Sequence, residues 1–191
     1  MWRASAIIGL LLAVGASEPS WAAATFTAKG NVPIICSVQP PELLSTHPAI
    51  NVTSVTGNTL TITQLADRNT LAAKAASFDV GFAAVCNLPK TVVVESQFNG
   101  LWRQSAQQEA PGFADAVPYT TTVTWGNAQG TLSADATVRK NTEVAVPVTT
   151  SVSDPIDLHF EILPGASNST AWAPLLAGTY QDTILVTVVP Q

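Results

Sequence analysis

Gly178-Thr-Tyr-Gln-Asp-Thr-Ile-Leu-Val-Thr-Val-Val189 is the stretch that decides how this chain is read. Rich in β-branched residues and entered through a Gly-Thr-Tyr turn, it predicts a single strand. Tyr180, Ile184, Val186 and Val188 fall on one face, and Thr183, Leu185, Thr187 and Val189 on the other. A strand apolar on both faces belongs inside a sheet, with neighbours on both sides. Only Pro190 and Gln191 follow it in this sequence. The expectation is therefore a strand whose second neighbour is missing.

Working back from it, Ile156, Leu158, Phe160 and Ile162 alternate with polar residues, as do Val144, Val146 and Val148. Tyr119, Thr121, Val123 and Trp125 alternate with threonines, and Thr91 to Phe98 directs Val92, Val94 and Phe98 inward. Ser77 to Cys86 places Phe78, Val80, Phe82, Ala84 and Cys86 on one face, which points Cys86 into the core. Shorter strands are predicted at Thr131 to Val138, Ile50 to Val55 and Thr59 to Gln64, the last two joined by a turn at Gly57-Asn58. Pro40-Pro41 breaks the chain, a loop follows through His47-Pro48, and Ala-rich Arg68 to Ala76 could form a helical turn. Two long loops, Asn99 to Ala116 and Pro164 to Ala177, carry Trp102 and Trp172. About nine short strands with almost no helical period indicate an all-β fold, an antiparallel sandwich.

The first residues read differently. Met1-Trp-Arg3, an apolar run from Ile7 to Val14 and Ala22-Ala-Ala24 have the form of a secretory signal peptide, residues 1–24, with cleavage after Ala22 or Ala24. The protein is expected to be exported, passing through the periplasm to the cell surface or beyond. Net charge is −5 and charged residues are 11%, with no basic run, which argues against a nucleic-acid partner. Two cysteines, Cys36 and Cys86, lie in the exported part. In an oxidising compartment an even pair predicts a disulfide, here one between two sheets. Closing a loop of about 50 residues is worth roughly 4 kcal/mol in the chain-entropy account.

Directly after the signal, residues 25–35 alternate again, with Phe26, Ala28, Gly30, Val32 and Ile34 on one face. Pro33 lacks an N–H, so such a strand is expected at an edge or interrupted there. A ladder placed at the new end of the mature chain is free to leave its own domain. We read it as a donor strand, with the sandwich domain itself spanning residues 36–191.

Ile35-Cys36-Ser-Val38, Val85-Cys86-Asn87 and the terminal Gly178-x-Tyr180-x-Asp182-Thr183-x-x-Val186-x-Val188 together resemble the spore coat protein U domain, the subunit domain of archaic chaperone–usher pili. The resemblance implies an immunoglobulin-like sandwich that is incomplete, lacking its seventh strand. It further implies a periplasmic chaperone, an outer-membrane usher and other pilus subunits as partners. Tyr180, Ile184, Val186 and Val188 would line the acceptor groove, and residues 25–34 would fill that of the next subunit.

Chemistry for catalysis is scarce. The histidines are His47, in a Pro-flanked loop, and His159, expected as a solvated strand residue. No Gly-x-Ser-x-Gly elbow, His-Glu-x-x-His pair or P-loop occurs in the sequence. Asp154 and Asp157 fit turn chemistry, and Asp182 is expected to bind backbone. No enzyme activity, cofactor or metal is expected. The sequence thus favours a structural fibre subunit assembled by strand exchange. The alternative is a secreted carbohydrate- or surface-binding module using Trp102 and Trp172 as an aromatic platform.

Overall fold

The computed structural model describes residues 28–44, 49–56, 58–105 and 110–191, with the backbone alone for 53–56. The signal segment 1–24, Phe26, His47 and Gly57 lie outside the described residues. The chain falls into two units, Met1–Val32 and Pro33–Gln191. All strands among the described residues belong to the second, and no helix occurs among them.

In chain order the strands are β1 (Cys36–Leu44), β2 (Val52–Thr56), β3 (Thr59–Ile62), β4 (Ala76–Cys86) and β5 (Lys90–Ser96). There follow β6 (Leu101–Arg103), β7 (Ala116–Val117), β8 (Tyr119–Trp125) and β9 (Ala128–Ala134). The last are β10 (Thr142–Val148), β11 (Ile156–Ile162), β12 (Tyr180–Gln181) and β13 (Ile184–Pro190). A five-stranded sheet runs β1-β4-β11-β8-β9, and a three-stranded sheet runs β10-β5-β13. A small sheet, β12-β6-β7, and the β2-β3 hairpin complete the pairing, and every ladder is antiparallel.

The period of two explains why the two larger sheets stack. Ala84 and Cys86 of β4, Ile156 and Leu158 of β11, Val123 and Trp125 of β8 and Leu132 of β9 point one way. They meet Val92 and Val94 of β5 and Val146 and Val148 of β10 in one apolar cluster. Each large side chain buried there contributes about 1.5–3 kcal/mol. The fold is thus all-β, with antiparallel sheets in a sandwich-like arrangement.

Several local expectations are corrected. Residues 28–35 form no strand, and Val32 and Ile34 stand 78% and 75% exposed. Pro33 lacks an N–H, and Asn87 claims the backbone here instead. Its Nδ2 donates to the Pro33 carbonyl (2.8 Å) and its Oδ1 accepts from the Ile35 N–H (3.0 Å). The first strand begins at Cys36 and passes straight through Pro40-Pro41. β1 is an edge strand whose register shifts between Val38 and Pro41, so the missing N–H groups break no ladder.

Arg68 to Ala76 is not helical. Asp67 Oδ1 accepts from the N–H groups of Asn69 and Thr70 (2.9 and 3.0 Å), and Leu71 adopts φ 58°, which stops a helix. The alanines serve packing: Ala73 and Ala76 join Ala114, Tyr119, Ile162 and Leu175 in a second core cluster. Cys36 and Cys86 are joined, but within one sheet rather than between two. They are direct cross-strand partners of β1 and β4, with Cα atoms 4.1 Å apart.

Candidate functional site

β13 pairs with β5 along its whole length, from Ile184 opposite Ser96 to Pro190 opposite Lys90. On its other side no described strand pairs with it, and β1 of the larger sheet is the nearest element. Ile184, Val186 and Val188 rest on the main core yet remain only half-buried, while Leu185 on the outer face is 50% exposed. The facing edge repeats the pattern, since Cys36 and Val38 of β1 also touch the core and are half-buried. Among the described residues nothing covers this side of the sandwich. The outer backbone edge of β13 has no described strand partner and is backed by apolar side chains, the arrangement to which an added strand binds.

The start of β13 is fixed by one carboxylate. Asp182 Oδ2 accepts from Ser96 Oγ (2.6 Å), Tyr119 Oη (2.7 Å) and the Gly100 N–H (3.1 Å). Its Oδ1 accepts from the N–H groups of Phe98 (3.1 Å) and Thr183 (2.6 Å). Asp182 therefore binds backbone, in line with its sequence reading, and gathers two hydroxyls as well. Burial, and next the Asp182 carboxylate, push the Tyr119 phenol far above its ordinary pKa.

This hub also breaks the terminal stretch, which is not the single strand its periodicity predicts. Residues 182 and 183 leave the ladder, so β12 and β13 join different sheets. Tyr180 is consequently separated from Ile184, Val186 and Val188. Paired opposite Arg103, it sends its hydroxyl to the carbonyls of Leu176 (2.8 Å) and Ala114 (3.3 Å). Burial pushes its pKa up to about 12, with the Arg103 charge opposing.

Of the proposed donor residues, Ala28, Gly30, Val32 and Ile34 are exposed and outside any strand, and a Cβ on Gly30 would meet nothing within 4 Å. Phe26 lies outside the described residues. His159 is not simply solvated: its Nδ1 meets Oδ1 of the buried Asp79 at 2.5 Å, directly across β11 and β4. Trp102 is buried and donates from Nε1 to the Phe98 carbonyl (2.6 Å), whereas Trp172 is 61% exposed. The two do not share an exposed surface. Sequence reasoning missed Val38 as the second wall of the open side, although Cys36-Ser-Val38 already alternates. Asp79 gave no local signal, because its partner is 80 residues away.

Comparison with known proteins adds no relative: no family model, no curated protein and no solved structure matches this chain.

Proposed function

We propose that this chain is a structural subunit of a surface fibre, built by strand exchange between successive subunits. What carries the reading is the half-buried row Ile184, Val186 and Val188 on a strand with one described partner. Burying that row under an incoming strand would remove apolar surface from water and pair the free edge at once. The resemblance of Cys36, Cys86 and the terminal motif to the spore coat protein U domain points the same way. So does the apolar ladder Ala28, Gly30, Val32 and Ile34, exposed and in no strand of its own. In this reading the chain is incomplete in the immunoglobulin-like sense, and residues 25–34 complete the next subunit. A periplasmic chaperone shields the edge during export, and an outer-membrane usher exchanges it for the donor.

The test uses the mature chain and a synthetic peptide of residues 25–34. The peptide should raise the melting temperature of a subunit deleted for residues 25–33 and protect the β13 amides from hydrogen exchange. Within cells the deletion should bind its chaperone yet fail to extend a polymer. Fibres of normal length from the deletion mutant would exclude donation by this segment.

A further inference from the structure

The end of the domain opposite Cys86 along β4 is built from three loops tied backbone to backbone. Gly165 N–H donates to the Ala73 carbonyl (2.7 Å), Leu175 N–H to Leu71 (2.8 Å) and Ala114 N–H to Pro174 (2.9 Å). Asn168 fastens them further: its Oδ1 accepts from the N–H groups of Asp115 (3.2 Å) and Ala116 (3.1 Å), and its Nδ2 donates to Asp115 Oδ1 (2.7 Å). This side chain, like that of Asn51, is spent on internal bonds.

On this frame sits Trp172. Large aromatics are usually buried, yet this one is 61% exposed. Its backbone is left-handed at φ 66°, a conformation that costs free energy in any residue but glycine and that clusters at functional sites. The indole is held flat. A Cβ on Gly165 would lie 2.5, 2.7 and 2.8 Å from its Cδ2, Cε2 and Cε3, so both rings lie over the glycine. The Trp172 N–H donates to the Gly165 carbonyl (2.9 Å), and Gly165 needs its own φ of 73°. One face of the indole is seated on protein and the other faces solvent.

The loop that carries the tryptophan is itself polar but uncharged. Residues 163–181 include no Asp, Glu, Lys or Arg, and Ser167, Asn168, Ser169 and Thr170 lead up to the tryptophan. Ser169 also borders a shallow depression of about 330 Å³ with Phe113, Asp115 and Leu176. Anionic and cationic ligands find no counter-charge on this loop. A membrane-inserting tip would carry apolar or basic flanks rather than hydroxyls. A pyranose ring suits it: its C–H face stacks on a flat indole, and its hydroxyls exchange hydrogen bonds with serine, threonine and amide groups.

We propose that this loop end is a binding site for a neutral saccharide, stacked on the exposed face of Trp172 and bonded by the exposed side chains of Ser169 and Thr170. The proposal is independent of strand exchange, because the site uses neither β13 nor residues 25–34.

The mature chain, applied to an array of neutral oligosaccharides, should bind a defined subset. Among the described tryptophans Trp102 and Trp125 are buried, so a quencher in water reads Trp172 almost alone. A bound sugar should shift its emission to the blue and protect it from the quencher. Trp172→Ala should weaken binding by about tenfold or more, as expected of an anchoring tryptophan, with near-ultraviolet circular dichroism of the buried aromatics retained. Ser169→Leu, at an exposed position, should weaken binding without touching the ring and serves as the second variant. Three results each overturn the proposal: no binding on the array, unchanged affinity in Trp172→Ala, or an emission shift produced by phosphatidylcholine vesicles and not by sugars.

Discussion

β10 and β13 flank the same central strand in the same register. Val146 and Val188 both face Val92, and Val144 and Val186 both face Val94. By composition β13 is the more apolar: Ile-Leu-Val-Thr-Val-Val-Pro against Thr-Glu-Val-Ala-Val-Pro-Val. Yet Val146 is 2% exposed whereas Val188 is only half-buried. The difference lies on the far side of each strand. β9 packs against β10, with Gly130 so close beneath it that a Cβ there would come within 2.6 Å of Val146. Nothing described fills that place beside β13. A strand's own hydrophobicity fixes which face turns inward, and its neighbours fix how far that face is covered.

The sharpest way to break this comparison is to put the same charge on both edges. Val146→Asp would bury an ion without a partner and should cost about 3–5 kcal/mol or more. Val186→Asp can keep its carboxylate in water at the open edge, so urea denaturation should show less than half that loss. Capture of Val186→Asp by a chaperone should nevertheless disappear. Equal destabilisation by the two substitutions would mean that the β13 edge is closed in solution.

Next comes the bond that holds the opposite wall. Cys36–Cys86 ties β1 to β4 at the open side, and β1 is otherwise an edge strand whose register shifts between Val38 and Pro41. Replacing both cysteines by alanine should lower stability by about 2–5 kcal/mol. The loss should appear first as exchange of β1 amides. If mass spectrometry without reductant finds two free thiols, the bond does not form.

Much of this was legible in the sequence, for a definite reason. β4, β5, β8, β10 and β11 each separate apolar from polar residues between two faces, and period two states that separation directly. β6 and β7 were invisible, because two or three residues carry no period. Pro40-Pro41 misled because a proline breaks a strand only where its N–H would be needed, and edge position is a tertiary fact. The terminal stretch misled in the other direction. Asp182 falls in the apolar phase between Tyr180 and Ile184, yet nothing local says that Ser96, Phe98, Gly100 and Tyr119 converge on that carboxylate. Hence Ile184, Val186 and Val188 were placed together correctly, while Tyr180, before the break, lies apart from them.

A smaller contrast separates two glycines. Gly130 lies in the covered edge, where a methyl would collide with Val146. Gly130→Ala should cost about 1–3 kcal/mol through overpacking. Gly30 faces open space, so Gly30→Ala should stay within about 0.5 kcal/mol for the isolated subunit. Replacing Gly30 with a bulky residue should still stop polymer growth if this ladder enters a neighbour's groove. A mutant that is stable and also polymerises normally would place the ladder outside the groove.

The smallest effect tests what anchors a strand lacking one neighbour. The chain has two tyrosines, so tyrosinate absorbance reports Tyr119 and Tyr180 alone. Both pKa values are raised chiefly by burial, Tyr180 to about 12 and Tyr119 further, with Asp182 the second cause for Tyr119. Below about pH 10 both phenols are protonated in the folded and unfolded chain alike, and they add no pH dependence. Between about pH 10 and pH 12 the unfolded chain loses these protons while the folded chain keeps them. Stability must therefore fall as pH rises, by at most ~1.4 kcal/mol per pH unit for each tyrosine. Because the Tyr119 hydroxyl donates to Asp182 at the start of β13, the loss should reach the open edge first. In an alkaline titration followed by methyl NMR, Val186 and Val188 should change before Val146 and Val148. Tyrosinate should form together with those changes. Tyrosinate appearing near pH 10 with all four valine signals unmoved would show that neither phenol is held by the fold, and that β13 keeps its place without the Asp182 anchor.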